Sequence, residues 1–481
     1  MKKLFFFFFQ ILNFIIINCY IKIPLKLFPC QISDKLNISN TFNNMVMKQL
    51  YAKIEIGSPK QTIFIPLELE KNDFYISKYN SHISNKKYDS FHLKNFNEES
   101  SSSFHYLSEE KNKAFYNKNF DFASKAKDLF FFGNKKTELE FYLAGNLSEE
   151  IPGEIGLQIH TINDLNTALD SDDKCFLKKI KDNGIIDNYI WSIIYNNDDS
   201  NDIDAYLYIG DFLHNIKNDL SLKNIKFKED SLSSINAYVY QKKVTTEFEM
   251  SKLYLYKADN PNNIIKEVNL SKMYLSVKLD YNLCGIKASE IIHSYLAENV
   301  FTEENKCHKD YFDYNNKYIF YYCDKNPSSL KNIKNNFPIL NFIHQEFNFN
   351  FTITFDDLLV EKENYYYFLI FFGYSNNRYD WKLGKPFLDK YNFMVDQDGK
   401  KILFYSEKQK DVILPGVQNI SVSGQNKKSL ILLVILLIII VLILCAFLGK
   451  NIHKTKIRKH KNIFDNNLEY SLSSGIEMTK K

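Results

Sequence analysis

The sequence of 481 residues has little cysteine, seven in all, and almost no excess of either charge. Seven cysteines are too few to hold a chain of this size together as a disulfide scaffold. The 61 lysines and arginines nearly balance the 57 aspartates and glutamates, so the formal net charge is only +4. Proteins that bind nucleic acid usually carry a marked basic excess, so no nucleic-acid partner is expected. Neither a cofactor nor a metal is expected.

Long apolar runs are also scarce, and the first of two lies at the N-terminus. Lys2 and Lys3 precede an apolar stretch that is interrupted by Asn13. A basic start followed by a short apolar run is typical of a signal peptide, which we expect over residues 1–19. The stretch is too short to favour a membrane-spanning helix, and an uncleaved signal anchor is the alternative.

The second apolar run, residues 430–449, is 20 residues long and carries no charge. A helix of that length spans about 30 Å, the thickness of a bilayer core, so a transmembrane helix is expected here. More basic residues follow the run than precede it, and the positive-inside rule therefore predicts that the tail, residues 450–481, is cytoplasmic. The expected protein is a single-pass type I membrane protein of the secretory pathway, with a lumenal or extracellular ectodomain and a stalk at residues 411–429.

Asn-x-Ser/Thr triplets, the acceptors of N-glycosylation, occur only before the second apolar run. In the same region Cys307 and Cys323 are close in sequence and form the natural pair for a disulfide bond in an oxidising lumen. Such a bond would stabilise the fold by about 3 kcal/mol in the chain-entropy model. The five acceptor asparagines are Asn37, Asn146, Asn269, Asn350 and Asn419.

The rest of the ectodomain consists of short runs that alternate in polarity or are rich in aromatic residues, separated by turn clusters. This pattern predicts a mainly β fold. Helical periodicity is rare and favours helices at residues 174–182 and 288–296. About 400 ectodomain residues are enough for two lobes, each with its own core. Six runs illustrate the strand pattern, at residues 50–56, 62–67, 205–209, 254–256, 349–355 and 365–372.

Several segments resemble motifs of the pepsin-like aspartic proteases (peptidase family A1), and they occur in the family's order. Residues 51–61 resemble the opening of the first lobe, where a strand and a Gly-Thr-Pro-x-Gln turn lead towards the first Asp-Thr-Gly. Cys307 and Cys323 stand where the family has its second-lobe disulfide. Later segments resemble further motifs of the family in turn. Residues 152–157 resemble the Ile-Leu-Gly segment, residues 176–192 the helix after it, and residues 206–211 the strand closing the first lobe. Residues 381–388 resemble the second-lobe Trp motif, and residues 391–404 resemble the last strands.

The resemblance implies a bilobal fold in which two β lobes, related by a pseudo-twofold axis, enclose a cleft. The lobes would be residues 47–222 and 223–410. Residues 20–46 would be either a remnant of a propeptide or the first strand of the domain.

In the family, two Asp-Thr-Gly turns supply two carboxyl groups that share one proton and activate a water molecule. This sequence has neither Asp-Thr-Gly nor Asp-Ser-Gly. An ungapped count from the flanking motifs brings a glutamate and a lysine to the catalytic positions. A slip of two residues would instead bring Asp280 to the second position, with the bulky Tyr281 after it. The counted triplets are Glu68, Leu69 and Glu70 in the first lobe, and Lys278, Leu279 and Asp280 in the second.

Three further residues belong to the cleft that the resemblance implies. Tyr106 is what remains of the family's flap turn, Glu154 lies in the first Ile-Leu-Gly segment, and Lys382 lies at the matching place of the second lobe. Acidic residues in one lobe thus match basic residues in the other. We expect Glu68 and Lys278 to form an ion pair, because a lone buried charge is costly. The alternative is that both side chains extend into an open, wet cleft.

Three functions are consistent with these residues. The first is a catalytically inactive pepsin-like protein that binds a peptide or protein in its cleft. The second is an active aspartic endopeptidase with a degenerate site. The third is an adhesin or receptor with an unrelated β fold. The residues favour the first, because a lysine cannot act as a second carboxyl group.

Overall fold

The computed structural model describes most of the chain before residue 406. The described residues belong to one compact unit. The expected signal peptide, stalk, transmembrane helix and tail lie outside the described residues, as do Glu70, Asn146 and Asn419. In the described part, none of the helices is both long and apolar enough to cross a bilayer. The described residues are 20–30, 37–69, 71, 73–78, 95–111, 114–115, 118–119, 122–133, 135–145, 152–158, 175–196, 202–210, 223–226, 229–230, 243–244, 247–250, 252–258, 260–269, 276–312, 317–344, 349–373, 381–399 and 401–405.

Strands dominate the described residues, so the expectation of a mainly β fold is confirmed. In chain order they are β1 Ile21–Pro29, β2 Lys48–Ile56, β3 Gln61–Glu68, β4 Phe74–Ser77, β5 His105–Lys111, β6 Ala114–Phe115, β7 Lys118–Asn119, β8 Phe122–Phe132, β9 Lys135–Gly145, β10 Gly153–Gly156, β11 Ile190–Tyr195, β12 Ala205–Ile209, β13 Lys223–Lys226, β14 Glu229–Asp230, β15 Lys243–Val244, β16 Glu247–Glu249, β17 Lys252–Lys257, β18 Asn260–Asn269, β19 Ser276–Leu279, β20 Ile286–Ala288, β21 Cys307–Phe312, β22 Tyr318–Asp324, β23 Ile339–His344, β24 Phe349–Ile353, β25 Leu359–Lys362, β26 Tyr365–Gly373, β27 Trp381–Leu383, β28 Asn392–Asp396 and β29 Lys401–Tyr405.

The described helices are short, and some begin at a recognisable cap. The fourth follows Asn326, whose side chain accepts a hydrogen bond from the Ser328 amide at 3.0 Å, and it has Pro327 in its first turn. The helices are α1 Ile38–Val46, α2 Phe176–Asp182, α3 Glu290–Asn299, α4 Pro327–Asn336, α5 Phe355–Leu358 and α6 Lys385–Leu388, with a 3-10 turn at Glu98–Ser100.

Two large sheets contain most of the strands. The first has the order β13-β29-β28-β11-β12-β1-β2-β3-β10-β4-β9-β8-β5. The second has the order β16-β19-β27-β20-β26-β22-β21, with β25 also paired to β26. A separate four-stranded sheet has the order β18-β17-β23-β24.

The same arrangement of seven strands occurs once in each large sheet. We call β2, β3, β10, β4, β9, β8 and β5 the first repeat, and β16, β19, β27, β20, β26, β22 and β21 the second repeat. Numbered along the chain, the strands of both repeats stand in the sheet order 1-2-7-3-6-5-4. The pairings follow the same sequence of antiparallel, parallel, antiparallel, parallel, antiparallel and antiparallel. The chain therefore contains an internal structural repeat.

The segment 20–46 contacts both repeats. Its strand β1 lies inside the first sheet, paired to β12 on one side and β2 on the other, with Ile21, Ile23 and Leu25 buried. Its helix α1 packs on the second repeat, where the Phe42 ring stacks on the Phe320 ring at 4.1 Å between centroids. Strand β1 is thus paired on both sides, and whether the mature protein retains it stays a prediction.

The second repeat contains a disulfide bond between Cys307 and Cys323, with an S–S distance of 2.02 Å. The two cysteines face each other directly on β21 and β22. Of the expected glycosylation sites, Asn37 is exposed and its side-chain oxygen caps α1 by accepting the Asn40 amide at 2.7 Å. Asn269 lies on β18, and Asn350 lies half-buried on β24.

Candidate functional site

Two turns at equivalent places of the repeats contain most of the predicted site residues. Glu68 ends β3, where it is paired in register with Gly156 at the end of β10. In the second repeat Leu279 is paired with Leu383, so the next residues, Asp280 and Gly384, stand at the matching register. By strand register, Asp280 is the counterpart of Glu68.

The hydrogen bonds after each turn agree with this correspondence. Five residues beyond Glu68, the Asp73 carbonyl accepts a hydrogen bond from the Gly156 amide at 2.7 Å. Five residues beyond Asp280, the Gly285 carbonyl accepts one from the Gly384 amide at 3.1 Å. The ungapped count along the sequence places Lys278 at the position equivalent to Glu68. The strand register agrees instead with the two-residue slip, which places Asp280 at that position.

The beginning of β2 joins the two turns. The Gln49 side-chain amide donates to a Glu68 carboxylate oxygen at 3.1 Å. The next residue, Leu50, donates its amide to the Asn282 side-chain oxygen at 2.9 Å. The Asn282 amide in turn donates to an Asp280 carboxylate oxygen at 3.2 Å. Two consecutive residues of β2 thus contact both turns.

Lys71 lies beside two acidic groups, Glu68 at the first turn and Glu154 on β10. Its ammonium lies 3.1 Å from a Glu154 carboxylate oxygen and 4.0 Å from a Glu68 carboxylate oxygen. The Glu154 side chain is only 4% exposed, so its charge has little access to water. Burial lowers the pKa of Lys71, but the nearby Glu68 and Glu154 carboxylates outweigh that effect and raise the pKa above its ordinary value.

Lys382 plays the corresponding part in the second turn. Its ammonium lies 3.3 Å from an Asp280 carboxylate oxygen, and the two side chains are 39% and 20% exposed. Lys278 is directly beside Lys382 in the parallel pairing of β19 and β27. The salt bridge that the structure gives to Glu68 is the one with Lys71, so a pair between Glu68 and Lys278 stays a prediction.

Large apolar residues occupy the positions that follow the two carboxylates. Leu69 is partly buried against the main core, and Tyr281 is fully buried. The Tyr281 carbonyl accepts a hydrogen bond from the Tyr195 hydroxyl at 2.6 Å, and its ring meets Trp191 edge-on at 5.9 Å. Burial raises the pKa of the Tyr281 hydroxyl well above its ordinary value. Leu279 is also fully buried, so these side chains support the turns by packing.

Tyr106 lies on β5, the edge strand of the first sheet, and its side chain is exposed. Its hydroxyl is 3.5 Å from both the Lys78 ammonium and a Glu98 carboxylate oxygen. Lys78 and Glu98 form an ion pair at 2.5 Å, and this hydrogen bond raises the pKa of Lys78. Among the described residues, the side chain of Tyr106 thus contacts Lys78, Glu98 and Phe104.

Sequence reasoning missed the neutral and basic residues that surround the carboxylates. Gln49 and Lys71 lie outside the family-like motifs, whereas Asn282 is the third residue of the triplet that the two-residue slip gives. The one available signal was proximity, since Lys71 is three residues after Glu68 and Asn282 is two residues after Asp280.

The comparisons with known proteins add no relative to this description. A scan of the chain against protein-family models finds no match. A search of the curated proteins finds none either.

Proposed function

We propose that the ectodomain is a catalytically inactive, pepsin-like bilobal protein that binds a peptide or protein in a cleft between its repeats. The observation that carries the proposal is the twofold occurrence of one seven-strand order, with Glu68 and Asp280 at equivalent register positions. An internal repeat with one carboxylate per repeat is the arrangement expected of two pseudo-twofold related lobes.

The charges around the carboxylates argue against catalysis. An aspartic protease needs one carboxylate and one carboxylic acid sharing a proton. Here Glu68 has the Lys71 ammonium nearby, and Asp280 has the Lys382 ammonium nearby. Each carboxylate is therefore in contact with a lysine of its own repeat, whereas the active dyad needs its two carboxyl groups in contact with the same proton and water.

The geometry of the side chains adds a second obstacle. A glutamate extends its carboxyl group about one methylene further than an aspartate, and a displacement of roughly 1 Å can cost about a hundredfold in rate. Tyr281 fills the place where the family has a small hydroxyl residue, and it is fully buried. Neither turn therefore reproduces the surroundings of an active aspartate.

An active endopeptidase is the second candidate, because the register gives each repeat a carboxylate at the same position. The experiment that separates the two candidates incubates purified ectodomain with a mixed peptide library between pH 3 and 7. We expect no cleavage above background, together with measurable binding of some peptides. Cleavage that a transition-state-type aspartic inhibitor blocks, and that Glu68→Ala or Asp280→Ala abolishes, would establish the endopeptidase instead.

We further propose that this ectodomain is lumenal or extracellular and is held by a single membrane-spanning segment at residues 430–449. The exposed Asn37 supports the proposal, because its side chain caps α1 from the surface. Full-length protein in microsomes should lose apparent mass after endoglycosidase treatment, and Asn37→Gln should reduce that loss. Protease added outside sealed microsomes should remove only the tail. Digestion of the ectodomain under those conditions would contradict this topology.

A further inference from the structure

One side of the first sheet carries tyrosines and lysines on neighbouring strands. Lys22 on β1 is paired in register with Tyr208 on β12, and Pro24 is paired with Tyr206. Residues paired in register point to the same side of a sheet. Lys22 is exposed and both tyrosines are half-buried, whereas Ile23, between Lys22 and Pro24, is buried on the other side.

The next strand continues this side with another lysine. Leu25 on β1 is paired with Ala52 on β2, so the adjacent residues Pro24 and Lys53 lie side by side. Lys53 is exposed and is itself paired with the half-buried Phe64 on β3. We call five of these residues the tyrosine–lysine face: Lys22, Pro24, Lys53, Tyr206 and Tyr208.

The tyrosine rings position Lys22. Its ammonium lies 3.6 Å from the centre of the Tyr206 ring and 5.5 Å from the centre of the Tyr208 ring. The Tyr20 ring lies 6.3 Å from the Tyr208 ring and extends the aromatic surface. A lysine that packs its stem on aromatic rings keeps its charge at the surface of the protein.

Two lysines of this face have no ion-pair partner among the described residues, namely Lys22 and Lys53. Asp202, whose charge reaches Lys53, pairs with Lys26 instead. Glu55, on the same side of β2 as Lys53, pairs with a lysine of the following turn. Two ammonium groups are therefore available to a negatively charged partner.

We propose that the tyrosine–lysine face rests on the lipid headgroups of the membrane that anchors the protein. The inference rests on the proposed membrane-spanning segment at residues 430–449 and goes beyond peptide binding. Tyrosine is enriched where a membrane meets water, because its ring is apolar and its hydroxyl is polar. A lysine ammonium donates charge-assisted hydrogen bonds to phosphate, which every phospholipid headgroup carries. The face thus has both kinds of side chain that an interfacial contact needs.

The end of the described chain lies in the same sheet as this face. Strand β29 ends at Tyr405, and the sheet order from there is β29-β28-β11-β12-β1. With strands about 4.8 Å apart, β1 is about 20 Å from β29 across the sheet. Residues 406–429 separate Tyr405 from the proposed span and reach at most about 80 Å. Such a tether gives an effective concentration on the order of 1 mM at the membrane, so a weak attraction is enough.

A lipid surface fits this face better than a second copy of the chain does. In a twofold-symmetric dimer the same surface of both copies meets itself. Lys22 and Lys53 would then approach their own counterparts, and like charges that face each other across an interface oppose association. A bilayer instead presents the negative phosphates that these two ammonium groups attract.

The test measures the reactivity of single lysines in the full-length protein. The protein is placed in nanodiscs of phosphatidylcholine with one third phosphatidylserine, or in neutral detergent micelles, and is treated briefly with a water-soluble acetylating reagent. Mass spectrometry then gives the extent of reaction at each lysine. We expect Lys22 and Lys53 to react about fivefold more slowly in discs than in micelles, because the headgroups cover them. Lys331, exposed on α4, is the internal control and should react equally in both.

Reversal of one charge tests the part played by the lysines. In Lys22→Glu, we expect Lys53 to react as fast in discs as in micelles. Lys22→Arg, which keeps the charge, and the matched control Lys331→Glu should both leave Lys53 protected in discs. Circular dichroism checks that each variant is folded, and the comparison of wild type in discs and micelles does not depend on any variant.

Equal reactivity of Lys22 and Lys53 in discs and micelles would overturn the inference and leave the proposed anchor intact. Protection that is present in micelles and disappears on dilution would overturn it in favour of a second copy of the chain. A protein that does not insert into the discs would overturn the proposed anchor together with the inference.

Discussion

Lys71 is the residue whose loss should harm the first turn most, because it is the cation beside a buried carboxylate. We predict that Lys71→Met lowers the free energy of unfolding by about 3 kcal/mol, since the buried Glu154 carboxylate would lose its ion pair with this ammonium. Urea unfolding followed by circular dichroism measures the change. Lys60→Met is the control, because Lys60 is half-exposed and its ion pair should contribute little. Equal stability of the two variants would contradict the prediction.

The same lysine should make stability depend on pH at the alkaline end. The folded protein raises the pKa of Lys71 above its ordinary value of 10.5, so the folded state holds this proton more tightly than the unfolded chain. The resulting stabilisation is complete below pH 10.5 and is lost as pH rises through the folded pKa. We predict that the stability difference between wild type and Lys71→Met shrinks above pH 10.5, as measured by urea midpoints. A difference independent of alkaline pH would refute this.

The residue scale is also where sequence reasoning had the least success. Glu68 was assigned because the count from the preceding turn crosses one regular strand. The second count placed Lys278 rather than Asp280 at the site, because nothing in the sequence marks where β19 ends and the turn begins. Only the pairing with β27 sets that register, and strand pairing depends on residues about a hundred positions away.

The strands were easier to anticipate than their ends. The runs at 50–56 and 365–372 are close to β2 and β26, since alternating or continuous apolar patterns determine which residues are buried. The run at 349–355 ends earlier, at Ile353, because Thr354 begins α5. The Asp357 carboxylate accepts the Thr354 amide at 2.7 Å and closes a capping box. Helix α1 was missed because its asparagine-rich sequence has low helix propensity, and its stability comes from packing on the second repeat.

Strand β1 provides the element-scale prediction. Because β1 is paired on both sides, we predict that the mature protein retains it. N-terminal sequencing of purified ectodomain should find a start before Ile21. Leu25→Ala should cost about 2–5 kcal/mol in unfolding free energy, the usual range for truncating a buried leucine. A mature protein that starts after residue 46 and remains folded would contradict the assignment of β1 to the domain.

The described part of the molecule should unfold in one step, because segments outside the two repeats join them. Strand β1 pairs with β2 of the first repeat, helix α1 packs on the second repeat, and β28 pairs with β11 of the first sheet. The chain has two tryptophans, Trp191 on β11 and Trp381 on β27. Trp191→Phe and Trp381→Phe leave one fluorescent reporter each, and we predict coincident urea transitions after correction for each variant's stability. Separate transitions within one variant, by fluorescence and circular dichroism, would indicate independent units.

The pairing of β11 with β28 has a consequence for the time course of synthesis. The Ser192 hydroxyl donates to the Phe393 carbonyl across 201 positions of sequence. At about 5–20 residues per second, the ribosome reaches β28 about 10–40 s after it makes β11. During that interval β11 has an open edge, and open strand edges are where chains pair wrongly. The nascent chain therefore passes through a defined period in which a chaperone that covers the open edge of β11 would prevent wrong pairing. That period ends when β28 is synthesised and pairs with β11.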